Sequence, residues 1–161
     1  TGPLSSDLDG DGMAEVFTLL EWDGFDGDGA ADLVIETPRA TIRARDVAWA
    51  GGPGQQPEIS LAPNGSLKLT SMNEAIGRDR WRLTLTIAYR DGAYRVAGYT
   101  YSWYDTLDLA NAGRCDLNLL TGRGVRSVAE GPEQAVTTRL PAIPITEWQD
   151  AMPVPDACRA E

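Results

Sequence analysis

Histidine is absent from the 161 residues, and cysteine occurs only twice. Without histidine the chain lacks the commonest general base and the commonest nitrogen donor for transition metals. Two cysteines cannot complete a four-ligand zinc centre, and Cys115 and Cys158 form no C-x-x-C redox pair. A G-x-S-x-G elbow and a glycine-rich phosphate loop are missing too, which removes the usual serine nucleophile and nucleotide cradle. No run approaches the roughly 20 apolar residues needed to cross a bilayer as a helix. The opening Thr1-Gly2-Pro3-Leu4 is not a charged segment backed by an apolar one, so the chain reads as soluble, with a signal peptide compatible with earlier removal.

Basic residues are missing where acids gather. Residues 1–38 carry ten acids and no lysine or arginine, whereas the remaining 14 acids are matched by 14 basic residues. A local negative excess of this kind repels phosphate backbones and argues against a nucleic-acid partner. It suits a cation. The 42% hydrophobic content is enough for one core, so residues 1–161 read as a single domain.

The periodicity is that of strands. Branched and aromatic residues fill Glu15–Trp22 and Asp32–Thr37, and Thr41–Trp49 reads as a third strand. In residues 59–69, Pro63, Asn64 and Gly65 form a three-residue hairpin loop that pairs Leu61 with Leu67 and Ile59 with Leu69. The clearest hairpin spans residues 80–104 around Asp91-Gly92. Counting outward from that turn pairs Tyr89 with Tyr94, Ile87 with Val96, Leu85 with Gly98 and Leu83 with Thr100. In that register Arg80, Arg82, Arg90 and Arg95 share the opposite face with Tyr99, Tyr101 and Trp103. If exposed, that face is a platform for sugar stacking or an anionic partner, read at Arg82, Arg95, Tyr99, Tyr101 and Trp103; the alternative is that the aromatics pack beneath another layer. Residues 105–118 read as irregular, 119–124 as a short strand and a turn, and 71–80 as room for a short helix. Five prolines in residues 131–157 argue against regular structure there. The expected architecture is mainly β, an antiparallel sandwich or barrel built from hairpins.

Cys115 and Cys158 read as a disulfide pinning the C-terminal tail, the alternative being two unlinked buried thiols. A disulfide implies an oxidising compartment, periplasmic or extracellular.

The stretch DLDGDGMAE, residues 7–15, carries the chemistry. Calcium takes six to eight oxygen ligands and needs several carboxylates brought to one centre by a tightly turning backbone. Asp7, Asp9 and Asp11 alternate, Gly10 and Gly12 permit the turn, Met13 offers its carbonyl, and Glu15 closes the shell from the next strand. An EF-hand would require a glutamate at loop position 12, which is Thr18. The pattern D-x-D-G-D-G-x-x-[DE] before an apolar strand resembles the calcium loops of FG-GAP repeats, the integrin-alpha type. That resemblance covers residues 7–37 and implies Asp7, Asp9, Asp11, Glu15 and the Met13 carbonyl as ligands. It extends to residues 24–32 at Asp26, Asp28, Asp32 and the Ala30 carbonyl, with Gly24 replacing the first aspartate, so this second loop should bind more weakly. A strand of about 3.3 Å per residue between the loops predicts two separate sites.

Calcium in such loops is expected to be structural, and the role to be recognition of a protein or glycan, without catalysis. The competing reading is a calcium-stabilised hydrolase acting on glycans through paired carboxylates, for which Asp105, Asp108 and Asp116 are the candidates.

Overall fold

The computed structural model describes residues 2–21 and 29–159. Among the described residues eleven strands form two antiparallel sheets. The smaller runs in chain order from β1 (Leu4–Ser6) through β2 (Glu15–Glu21) and β3 (Gly29–Glu36) to β4 (Thr41–Ala50). The larger contains β5 (Glu58–Leu61), β6 (Leu67–Asn73), β7 (Asp79–Arg90), β8 (Ala93–Asp105), β9 (Asp108–Asn118), β10 (Arg123–Val128) and β11 (Gln134–Thr137), again with sequence neighbours adjacent. This is the expected mainly β sandwich. Hairpin connections alone explain the order, because each turn returns the chain beside the strand it has just left.

The two sheets enclose the core. Phe17, Leu33, Ile35 and Ala44 from the smaller sheet and Leu67, Leu69, Leu85, Ile87 and Leu117 from the larger are buried. Four strands cannot cover seven. The remainder of the larger sheet is covered by the C-terminal segment, which has two short 3₁₀ turns, Ile145–Glu147 and Asp156–Cys158. Trp148 packs on Tyr99 with ring centroids 6.0 Å apart, and Cys158 is disulfide-bonded to Cys115 of β9. The chain is thus stapled where an irregular segment lies on a strand.

The local turn readings hold. Leu61 pairs with Leu67 and Ile59 with Leu69, and Asp91 and Gly92 both have positive φ, as the tight two-residue turn requires. Three expectations need correction. Residues 108–118 form β9, because partners on both sides satisfy a backbone whose side chains carry little strand signal. No helix occupies residues 71–80; β6 continues to Asn73, a turn follows, and β7 begins at Asp79.

The third correction concerns register. Ile87 pairs with Val96 but Thr86 with Gly98, leaving Ala97 as an extra residue in a β-bulge. One inserted residue moves every later side chain to the other face. Leu85 therefore faces Tyr99, Leu83 faces Tyr101, and Trp81 faces Trp103. The aromatics lie on the covered face: Tyr99 and Trp103 are buried and Tyr101 is half-buried. The bulge also changes the partner of β8. Beyond Gly98 it pairs with β9, whereas the Val96 N–H donates to the Ile143 carbonyl and Arg95 bridges to Pro144.

Candidate metal centre and adjoining cleft

The loop between β1 and β2 folds around its own aspartates. Asp7 accepts the Gly10 and Gly12 N–H groups, each at 2.9 Å. Asp9 accepts the Asp11 N–H at 3.1 Å, and Asp11 accepts the Met13 N–H at 2.8 Å. Gly10 and Gly12 have φ of 76° and 89°, a region that side chains strain, so these turns need glycine. Each aspartate uses one or both oxygens to shape the loop, and the turns bring their carboxyl groups together.

Glu15, first residue of β2, is the buried member. Its Oε2 accepts three hydrogen bonds, from the Leu8 and Asp9 N–H groups at 3.1 Å each and from the Tyr94 hydroxyl at 3.0 Å. Its Oε1 is buried with no partner among the described residues. One ligand oxygen from each of Asp7, Asp9, Asp11 and Glu15 falls within 4.8 Å of the others. Burial raises the Glu15 pKa, against the opposing hydrogen bonds from Tyr94 and the loop amides. The Asp11 N–H pulls Asp9 down, but burial and the Asp11 charge outweigh it and leave Asp9 raised. Asp9 and Glu15 are thus held in this cluster at an electrostatic cost. A cation would relieve it.

Tyr94 was not legible as part of this centre. It sits on β8 of the larger sheet, 79 positions from Glu15. Through it the loop of one sheet is fastened to the other. Burial first, then the Glu15 carboxylate, raise the Tyr94 pKa, so its hydroxyl stays a donor.

The second loop is only partly described. Asp26 and Asp28 lie outside the described residues, as does Trp22. Ala30 and Asp32 lie in β3. Asp32 is buried, and both its oxygens are engaged: Oδ2 by Arg43 at 2.7 Å and Oδ1 by the Asp46 N–H at 2.9 Å. These bonds brace the irregularity in the β3–β4 pairing, where Asp46 has φ of 53°. The carboxylate is held below its ordinary pKa despite a desolvation penalty, by the Asp46 amide and Arg43.

The recognition platform expected from the sequence is not assembled. Arg82 is exposed, near Glu74 at 3.4 Å, and Arg95 donates to the Arg90 and Ala142 carbonyls, whereas Tyr99, Tyr101 and Trp103 point under the C-terminal segment. The three candidate hydrolytic acids do not form a site either: Asp105 and Asp108 are cross-strand partners at the β8–β9 turn, with Asp116 further along β9. Asp105 is buried against Arg78 at 2.7 Å, Asp108 is exposed, and Asp116 accepts from Thr100 at 3.0 Å. Thr100 and Asp105 are separated along β8 by roughly 15 Å at strand rise. Asp116 thus lies beyond the spacing of a glycosidase pair from Asp105, and Asp105, which is near Asp108, is already held by Arg78.

A cleft of about 300 Å³ opens beside the acidic loop. Four elements converge on it: Asp9 and Asp11 of the loop, the β3–β4 turn with Arg39, the tip of the β7–β8 hairpin with Tyr89 and Tyr94, and residues 144–146. The bulge at Ala97 contributes directly, since it lets the start of β8 pair with the segment that forms the last wall. Arg39 is exposed and makes no ion pair with another described residue.

Compared with known proteins, the chain matches no family model, no curated protein and no solved structure. Among the described residues no helix is long and apolar enough to cross a membrane.

Proposed function

We propose that this is a calcium-binding β domain of an oxidising compartment, periplasmic or extracellular, in which the ion stabilises the fold and the domain serves recognition without catalysis. The observation that carries the reading is Glu15. A buried carboxylate oxygen without a partner is expensive; Glu15 clusters with three other carboxylates, and its Oε1 is left without a partner while its Oε2 already accepts three hydrogen bonds. An all-oxygen donor set with no histidine or free thiol fits a hard cation, and the glycine-aspartate turns give the flexible, many-liganded geometry that favours calcium over magnesium. The resemblance to FG-GAP loops supports the same choice. Asp7, Asp9, Asp11, Glu15 and the Met13 carbonyl would hold the ion. For residues 24–32 we propose a weaker site drawing on Asp26, Asp28 and the Ala30 carbonyl, since Arg43 already engages Asp32.

The disulfide supports the compartment, because thiols are kept reduced in the cytosol. The recognition role is supported by the position of the cleft beside the loop, where an ion would order one of its walls. Titration calorimetry on EDTA-stripped protein, with melting curves alongside, tests the reading. Calcium should bind with heat and raise stability by about 2.7 kcal/mol when present at about 100 times its Kd. Asp9→Ala should remove the tighter site. Absence of both heat and a melting shift would reduce the loop to an acidic turn.

A further inference from the structure

We propose that the cleft beside the loop takes a neutral sugar ring, held by two adjacent hydroxyls on the loop's ion and by Arg39 across the cleft. This rests on the calcium reading and names the ligand class for it. At about 300 Å³ the cleft is at the lower end of ligand pockets, with room for one ring. Asp9 and Asp11 are the members of the acidic cluster that line it. Calcium takes six to eight oxygens. One oxygen from each of four carboxylates, with the Met13 carbonyl that the FG-GAP resemblance implies, would supply five, leaving one to three positions for water or a ligand, and the cleft meets the cluster at Asp9 and Asp11.

Charge selects the class. Four carboxylates around one divalent ion leave a net negative centre, which disfavours an anionic ligand even with Arg39 nearby. A hydroxyl suits it. Its oxygen lone pair goes to the ion and its hydrogen to an Asp9 or Asp11 oxygen, so each adjacent hydroxyl satisfies both. Arg39 donates to an oxygen on the far edge of the ring. Between these polar walls Tyr89 and Ile42, both half-buried, offer an apolar surface for the C–H face of a pyranose.

The test is a titration of the calcium-loaded protein with methyl α-mannoside, methyl β-galactoside, methyl β-glucoside and, as the charged comparison, methyl β-glucuronide, followed by amide chemical shifts. A neutral pyranoside should move the Asp9, Asp11, Arg39 and Tyr89 amides with a Kd on the order of millimolar. EDTA should abolish the effect. Arg39→Ala should weaken sugar binding at least about tenfold, roughly 1.4 kcal/mol, while calcium affinity changes less than about twofold. The proposal is overturned if no neutral pyranoside shifts these amides at about 50 mM, if binding persists in EDTA, if Arg39→Ala leaves sugar affinity within about twofold of the parent, or if the glucuronide binds more tightly. Calcium binding without sugar binding defeats the cleft assignment alone. Failure of calcium itself to bind defeats the metal reading and the sugar site with it.

Discussion

Tyr94→Phe isolates the bond that joins the acidic loop to the larger sheet. The substitution keeps the ring, and with it the edge-on packing against Tyr89 at 5.0 Å between centroids. Only the hydroxyl donating to Glu15 Oε2 at 3.0 Å is lost. A hydrogen bond to a charged group contributes about 1.5 to 3 kcal/mol, and here the acceptor keeps the Leu8 and Asp9 amides, so the lower part of that range applies to the metal-free protein. For a chain of this length each kcal/mol corresponds to about 2 to 4 °C, giving a melting decrease of roughly 3 to 8 °C.

The effect should be larger with calcium. An ion at Oε1 requires ionised Glu15, and the Tyr94 bond is strongest to that form. By linkage, a difference of about 1 kcal/mol between the two conditions means calcium affinity about fivefold lower. Differential scanning calorimetry in EDTA and in saturating calcium, with calorimetric titration of both proteins, gives all three quantities. A melting temperature within about 1 °C of the parent in both conditions would show that the hydroxyl bond contributes nothing net, and the proposed fastening of loop to sheet would be wrong.

Asp32→Asn should cost about 1 to 3 kcal/mol in urea denaturation, equally with and without calcium, because the amide oxygen can still accept the Asp46 N–H but the charged acceptor of Arg43 is lost. A loss confined to the calcium-bound protein would instead make Asp32 a ligand. Acid stability should depend on Asp105, whose pKa is held below 3.8 by Arg78 and the Leu107 N–H. A depressed folded pKa contributes stability above the unfolded value that is lost as pH falls through the folded one. Asp105→Asn should therefore melt below the parent near neutrality, with the gap closing below pH 3.8; a gap constant with pH would contradict this.

What could be read in advance was what is decided locally. Asp91-Gly92 and Pro63-Asn64-Gly65 set their hairpins through backbone conformations that these residues favour wherever they occur. The loop at residues 7–15 was legible for the same reason, since its aspartates bond to amides two to five positions away. The bulge at Ala97 was not. The one mark beside it is Gly98, an isolated glycine inside a strand, and the pairing that accompanies the bulge is remote, residues 143–144 with the first part of β8. That one residue decided whether Tyr99, Tyr101 and Trp103 faced water or the core. β9 was missed because Gly113, Cys115 and Leu117 are its only inward residues opposite the buried stretch of β8, too few to show alternation. Tyr94 could be placed on the core face but not opposite Glu15, a contact that only the stacking of two sheets creates.

The mismatch between four strands and seven explains why both fastenings lie where they do. The C-terminal segment covers the excess of the larger sheet, yet with few backbone bonds to it beyond Ile143 and Pro144 it gains little from ladder pairing. Its place depends on Ile145, Trp148 and Cys158 being buried. Closing the 43-position separation between Cys115 and Cys158 removes roughly 4 kcal/mol of unfolded-chain entropy in the loop-closure model, of the order of a domain's whole stability margin. At the other end of the chain the loop before β2 likewise has no strand partner of its own, and it reaches the larger sheet through Glu15 and Tyr94. An ion there would act as the disulfide does, fixing an irregular segment across the sheets. The cleft lies between the two fastened segments, walled by Asp9 and Asp11 on one side and by residues 144–146 on another. Its shape therefore depends on oxidation and, in our reading, on calcium, both of which an extracytoplasmic environment supplies.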